Sequence, residues 1–344
     1  MSSWWIYPVV LSFLLSLLLS DVGRSLGRKW GLIDEPRLDR KKHKGGTSTL
    51  GGLSIFVAIS ICIIGVLLFS DELTRGAMEN KHFIGYLVGG LVLMLGGLLD
   101  DKHDLRARYA IVFPIAAALI AAVFGIGVSK ITNPLGGFFE VGDLISFCVT
   151  FVWLLGMTYV TKLLDGLDGL ASGVSSIAGL MMGFLALTVV FYQPDAALLS
   201  FIIVAAFLGF LVWNWHPASI FLGESGSTFV GYSIGVLAII GGGKIATALL
   251  VVAIPLFDIL FVVYDRHRSG VPLFSADRRH LHHRLADLGL STRSIVSIYY
   301  GVALIFGLST LIFESWQKLI ALAILFIGLL ISIFYIQKCQ KKKW

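Results

Sequence analysis

The stretch LISFCVTFVWLLGMTYVTKLLDGLDGL, residues 144–170, carries no charge before Lys162 and then presents Asp165 and Asp168. Its apolar part is close to the ~20 residues an α-helix needs to cross ~30 Å of hydrocarbon. The carboxylates that close it fit a helix-end cap, an ion path or an active site. The rest of the chain settles the fold class. Of 344 residues, 57% are hydrophobic and 14% charged, with a mean hydropathy of +0.87. Soluble domains hold about 25% charged residues, so this composition excludes an ordinary soluble domain. The apolar excess falls into about eleven runs, at roughly 4–22, 50–70, 83–99, 109–127, 143–161, 171–192, 196–213, 228–243, 245–264, 295–313 and 319–337. The expected fold is all-α: a polytopic membrane helical bundle of about 11 transmembrane helices, forming one integral membrane domain over 1–344. The first run has no basic start and its Lys/Arg cluster follows it, which is not the layout of a signal peptide.

Charge placement predicts orientation. Five loops (about 23–49, 100–108, 162–170, 214–227 and 265–294) and the tail 338–344 carry 22 of the 27 Lys and Arg; the other five are Arg75, Lys81, Lys130, Lys244 and Lys318. The positive-inside rule makes the loop-and-tail side cytoplasmic, with the N-terminus outside and the C-terminus inside. The net charge of +6 is thus a topology signal and calls for no nucleic acid; the terminal KKKW suits anionic lipid. Cys62, Cys148 and Cys339 suggest neither a disulfide nor a metal site.

The same face collects the acids and histidines. GGLLDDKHDLRARY (96–109) holds Asp100, Asp101 and Asp104; WNWHPASIFLGESGSTFVG (213–231) holds Asn214 and Glu224; PLFDILFVVYDRHRSG (255–270) holds Asp258, Asp265 and Arg266; FSADRRHLHHRLADLG (274–289) holds Asp277, Arg279, His280, His282 and His283. Transporters usually keep ionisable groups near mid-membrane, whereas these sit at one surface, as an enzyme acting on a lipid headgroup requires. Each cluster also has a plainer account: Asp100 and Asp101 as a helix end, GESGS as a turn or an anion nest. A helix from Ser275 to Gly289 would align Leu281, Leu285 and Leu288 and place Arg279, His280, His282 and His283 opposite. That cationic face would lie in lipid headgroups or grip a pyrophosphate.

Taken in order, these segments resemble the polyprenyl-phosphate N-acetylhexosamine-1-phosphate transferases, a family that includes the phospho-MurNAc-pentapeptide translocase. The resemblance runs from about residue 24 to 290. It implies that Asp100 and Asp101 stand near a prenyl phosphate, with Asp101 and Glu224 holding Mg²⁺ (Mn²⁺ as a substitute), and that Asp165 and Asp168 of DGLDGL serve catalysis and nucleotide-sugar binding. Asn214, Phe221, Arg266, Arg279 and the His280, His282, His283 loop become substrate-binding candidates. Lys44 opens KGGTSTLGG (44–52), similar to a translocase motif. Three positions depart from the pattern. Glu224 replaces a usual Asp, Ser48 a usual Pro, which would loosen that loop, and Lys162 a usual Asn, free to contact phosphate or pair with Asp165 or Asp168.

The resemblance further implies transfer of a sugar-1-phosphate from a UDP-N-acetylhexosamine, with UDP-GlcNAc leading, to undecaprenyl phosphate in a bacterial inner membrane, at the cytoplasmic face. This is the first membrane step of a cell-envelope polysaccharide such as O-antigen. UDP-FucNAc, UDP-QuiNAc or UDP-MurNAc-pentapeptide are alternative donors. Direct attack and a phospho-aspartate route both fit the residues, and family members are often homodimers. Two rivals fit less well: DGLDGLASG lacks the Ala-Arg of a CDP-alcohol phosphotransferase, and a transporter would move substrate without releasing UMP.

Overall fold

The computed structural model describes residues 3–34, 46–128, 130–132, 138–189, 191–240, 244–270 and 280–341. Among them the chain forms a short 3₁₀ turn (Ser3–Trp5) and the helices α1 (Ile6–Trp30), α2 (Gly51–Phe69), α3 (Asn80–His103), α4 (Ala107–Ala110), α5 (Val112–Val123), α6 (Asp143–Leu164), α7 (Leu170–Leu187), α8 (Pro194–Asn214), α9 (Gly223–Ile240), α10 (Ile245–Val251), α11 (Ala253–Arg268), α12 (Leu281–Asp287), α13 (Thr292–Ile312) and α14 (Ser315–Lys341). Two small antiparallel ladders join β1 (Ile33–Asp34) to β2 (Thr47–Ser48) and β3 (Lys130–Thr132) to β4 (Phe138–Glu140). The protein is an all-α, multi-pass membrane bundle.

Every expected apolar run coincides with a helix or a helix pair. Among the described residues, seven helices (α1, α2, α3, α6, α7, α8 and α13) are long and apolar enough to cross a membrane, or eight if α10 and α11, bent by 74°, make one span. This tally among the described residues does not reach the expected count of about 11; Ala107–Val123 and Trp316–Ser332 are further, shorter apolar helices. The difference has a physical reason at α9. That helix begins with Gly, Glu and Ser residues and is buried from Ser225 to Ile239, so it is surrounded by protein and needs no uniformly apolar surface.

Helix α1 shows which solvent the bundle meets. Its buried residues include Ser12, Ser16, Ser20, Gly23 and Gly27, while Leu11, Leu14, Leu18 and Val22 are exposed. That is the reverse of a water-soluble helix. Lipid is as apolar as leucine, so helices associate through small residues and interhelical hydrogen bonds. Accordingly Ser12 Oγ donates to the Ile202 carbonyl at 2.8 Å and Ser16 Oγ to that of Ala206 at 2.6 Å, fixing α1 to α8.

Close packing also brings the acidic helix ends together. α9 lies against α2, α3 and α6, and at Gly97 of α3 an added Cβ would stand 2.2 Å from the Ser225 backbone. This contact sets the last turn of α3, with Asp100 and Asp101, beside the first turn of α9, with Glu224. Gly223 reaches α9 with φ +71°, a left-handed conformation that a side chain disfavours. Ser48, where the resemblance implied a loose loop, instead ties it down. It is 1% exposed, its Oγ donates to the Gly23 carbonyl at 2.8 Å, and its carbonyl accepts the Phe221 N–H at 2.8 Å. A hydroxyl supplies a bond here that proline could not.

Candidate active site

Three of the expected acids meet beside one lysine. Lys162, in the last turn of α6, places Nζ 2.6 Å from Glu224 Oε2. The Glu224 N–H donates to Asp101 Oδ1 at 3.0 Å, and Asp100 Oδ1 accepts the Leu105 N–H at 2.8 Å. Lys162 thus takes Glu224 as its partner instead of Asp165 or Asp168. Two of the three residues that the resemblance marks as departures are thus partners of each other.

The other oxygen of Asp101, Oδ2, is buried with no hydrogen-bond partner. Leaving a buried acceptor unmatched costs about 1–3 kcal/mol, more when charged, so this oxygen is suited to a ligand from outside the chain. Asp165 follows α6 directly and is half-buried. Burial first, then the charges of Glu224, Asp168 and Asp101, push its carboxyl up to about 8. Crowded carboxylates of this kind accommodate a divalent cation. Among the described residues no three His, Cys, Asp or Glu side chains form a ready metal cage. Mg²⁺ does not need one, since it is commonly held by one or two carboxylates together with water and phosphate oxygens. The donor set fits that ion.

Beside this cluster, between α3, α5, α6 and α9, lies a small open cleft lined by Leu93, Phe113 and Pro114 as well as Asp100, Lys162 and Glu224. Its lining mixes apolar and charged side chains, which matches a ligand with both a hydrocarbon part and an anionic part.

Asp168 is held differently. Its Oδ2 lies 2.7 Å from His216 Nδ1 and accepts the Ala218 N–H at 3.0 Å. Arg293 of α13 donates from Nε and Nη2 to the His216 carbonyl at 3.1 and 3.0 Å. Neither His216 nor Arg293 was singled out from the sequence. The one available signal was an ionisable residue in the loop leading to FLGE. Asn214 is 3% exposed and its amide is used inside the protein. Oδ1 accepts from Gly169 N–H at 3.0 Å and Ser172 Oγ at 3.2 Å, while Nδ2 donates to the Ile220 carbonyl at 3.0 Å. Tyr300 OH donates to the Gly169 carbonyl. Asn214 and Tyr300 therefore brace the DGLDGL turn from two sides. Phe221, next to Ile220, is half-buried.

Of the expected helix Ser275–Gly289, positions 275–279 lie outside the described residues, and the rest departs from it at His280. The helix spans only Leu281–Asp287, with His280 as its N-cap; Arg279 and Lys44 lie outside the described residues. His282 is not on an exposed cationic face. It is 3% exposed, and a Cβ at Gly166 would stand 2.5 Å from its Nε2. Burial, then His283 and His280, lower its pKa to about 3, so the ring is neutral. The Leu stripe failed as a guide because both faces of this short helix meet protein: Arg284 is buried too, its guanidinium 5.4 Å from the Phe261 ring. His280 and His282 stack at 5.7 Å, and His283 lies 4.2 Å from His282. Arg266 is buried in the last turn of α11.

A membrane bundle that gathers carboxylates, imidazoles and a lysine beside a half-apolar cleft has the form of a membrane enzyme for charged, lipid-linked substrates. Residues 83–242 match glycosyl transferase family 4. The chain is 32% identical over 333 residues to the probable undecaprenyl-phosphate N-acetylglucosaminyl 1-phosphate transferase of Bacillus subtilis, covering 93% of this chain and 88% of that protein. It is 32% identical over 310 residues to the decaprenyl-phosphate N-acetylglucosaminephosphotransferase of Mycobacterium tuberculosis (80% and 74% covered). It is 27% identical over 349 residues to the undecaprenyl-phosphate alpha-N-acetylglucosaminyl 1-phosphate transferase of Escherichia coli K12 (96% and 90% covered). The chain belongs to glycosyl transferase family 4 and is a membrane transferase.

Proposed function

We propose that this chain transfers N-acetylglucosamine-1-phosphate from UDP-GlcNAc to undecaprenyl phosphate at the cytoplasmic face of a bacterial inner membrane. An oxygen of the lipid phosphate attacks the β-phosphorus of the donor. A new P–O bond forms, the bond from that phosphorus to the bridging oxygen breaks, and UMP leaves. The product is an undecaprenyl-pyrophosphoryl sugar that opens an envelope polysaccharide. The observation that carries this reading is the cleft lined both by Leu93, Phe113 and Pro114 and by Asp100, Lys162 and Glu224. It suits a prenyl chain ending in phosphate, and the names of the relatives point to the same substrate class.

Both reactants are anionic, so the site must offset their repulsion. Asp101 and Glu224 would hold Mg²⁺, which supplies charge neutralisation of phosphoryl oxygens when bound. Lys162 adds a fixed positive charge in the wall of the cleft. Asp100 orients the lipid phosphate. Asp165 and Asp168 orient the nucleotide sugar, with His216 and Ala218 keeping Asp168 in place. His283 faces the phosphosugar as a donor, and His280 faces it through Nε2. In-line positioning is the main demand of phosphoryl transfer, and a site anchored on the ends of four packed helices meets it.

The test is a donor panel with purified protein, undecaprenyl phosphate and Mg²⁺, scored by UMP release. UDP-GlcNAc should give the highest rate. Release from another UDP-sugar alone would move the donor assignment, and no release from any would overturn the function.

A further inference from the structure

The segment Pro255–Gly270 contributes Asp258, an acid that the carboxylate cluster does not use. It sits on α11 shortly after the 74° bend between α10 and α11 and is 5% exposed. Both of its oxygens point to the histidine segment. Oδ2 lies 3.0 Å from His280 Nδ1, and Oδ1 accepts the Leu281 N–H at 2.8 Å. With Tyr299, His280 and His282 it lines a small pocket that also reaches Leu163 and Leu164 of α6.

An ionised carboxylate only accepts hydrogen bonds. A contact from Asp258 to Nδ1 therefore requires the hydrogen of His280 to be on Nδ1. That choice leaves Nε2 as the nitrogen free for a ligand. The second bond, from Leu281 N–H, stops the carboxylate from turning away. His280 is in turn stacked on His282 with an interplanar angle of 7°, and His282 rests on Gly166, between Asp165 and Asp168. A tautomer set at Asp258 is thus set one ring away from the DGLDGL turn.

We infer that Asp258 is a positioning residue for the transfer reaction: it fixes the tautomer and ring orientation of His280 so that Nε2 meets the phosphosugar. This rests on the phosphosugar-transferase function proposed above. A carboxylate behind an imidazole also stabilises the imidazolium that forms when the ring takes up a proton during reaction.

Asp258→Asn separates this role from mere capping. The amide oxygen still accepts the Leu281 N–H, but the NH₂ group donates to His280 Nδ1 and drives the hydrogen to Nε2. The expected result is a kcat lower by about 10²–10⁴-fold, the range for disturbing such a partner. KM for UDP-GlcNAc should stay within about threefold, with the melting temperature near that of the wild type. In a His280→Gln background, adding Asp258→Asn should cost nothing further. Wild-type kcat in Asp258→Asn, or a full additional loss in the His280→Gln background, would overturn the inference. His280→Gln keeps Asp258 on Leu281 and serves if Asp258→Asn does not fold; undiminished turnover in it also overturns the inference. Imidazole ¹⁵N shifts of the labelled wild-type protein read the tautomer without any assay. A protonated Nδ1 is expected at His280, and an unprotonated one overturns the assignment. A wild-type protein that releases no UMP but shows the Nδ1–H tautomer would sink the proposed function and leave the Asp258–His280 geometry standing.

Discussion

Asn214 offers the sharpest test of how the site is built. If it touches the nucleotide sugar, its loss should raise the donor KM and leave the fold alone. The structure assigns its amide to the protein instead. Replacement by the near-isosteric Leu strands two buried backbone groups, the Gly169 N–H and the Ile220 carbonyl. At about 1–3 kcal/mol for each unmatched group, the cost is about 2–6 kcal/mol. At roughly 2 °C per kcal/mol for a chain of this size, the melting temperature should drop by about 4–12 °C. Ser172→Ala is the internal control. It removes one hydroxyl bond to Asn214 Oδ1 and should cost only about 0.5–1.5 kcal/mol. The assay is thermal unfolding of both variants in detergent beside the wild type, followed by donor saturation curves. Turnover should fall in Asn214→Leu because the DGLDGL turn and the Ile220–Phe221 segment lose their common brace. An Asn214→Leu protein that melts with the wild type and shows only a raised donor KM would refute the reasoning.

Two further outcomes follow from the carboxylate cluster. Lys162→Asn and Glu224→Asp should each impair UMP release, and the double variant should recover part of the loss, because each charge is the partner of the other; both side chains are partly open to solvent, so the coupling in stability should be about 1 kcal/mol or less, and strict additivity in both turnover and melting would refute the pairing. The carboxyl of Asp165 is raised in the fold from 3.8 to about 8, so between those values the unfolded chain gives up this proton while the folded protein keeps it, and stability falls as pH rises across that window; melting from pH 5 to 9 should show that decline in the wild type and a flatter profile in Asp165→Asn, and parallel profiles would contradict it.

The parts of this molecule that could be read from sequence share a physical cause. A helix in lipid must be apolar along its length, so α2 or α8 announces itself by composition alone. The helices that escaped that rule are those that lipid does not touch along their length. α9 carries Glu224 and several serines because protein surrounds it, and α12 buries His282 and Arg284 because both its faces meet protein. The acids were visible for the same reason: Asp100, Asp101, Asp165 and Asp168 stand out against apolar runs. Their division of labour was not visible, because partners such as Asp168 with His216, or Asp258 with His280, lie 48 and 22 positions apart. Chain folding, and no local spacing, pairs them.

The departures from the family pattern show how far one position at a time can mislead. Taken alone, Lys162 in place of Asn is a cation for phosphate, Asp165 or Asp168, and Glu224 in place of Asp is a carboxylate one methylene longer. They come from α6 and α9 and meet at 2.6 Å. A cation introduced alone would seek the nearest carboxylate and disturb its function. A longer carboxylate introduced alone would crowd Asp101, whose Oδ1 already accepts the Glu224 N–H. Together the longer acid reaches the new lysine, which neutralises the added reach, while Asp101 keeps a buried oxygen free. The pair therefore preserves the feature on which metal and phosphate binding would depend, an uncommitted acidic oxygen beside the charged lining of the cleft.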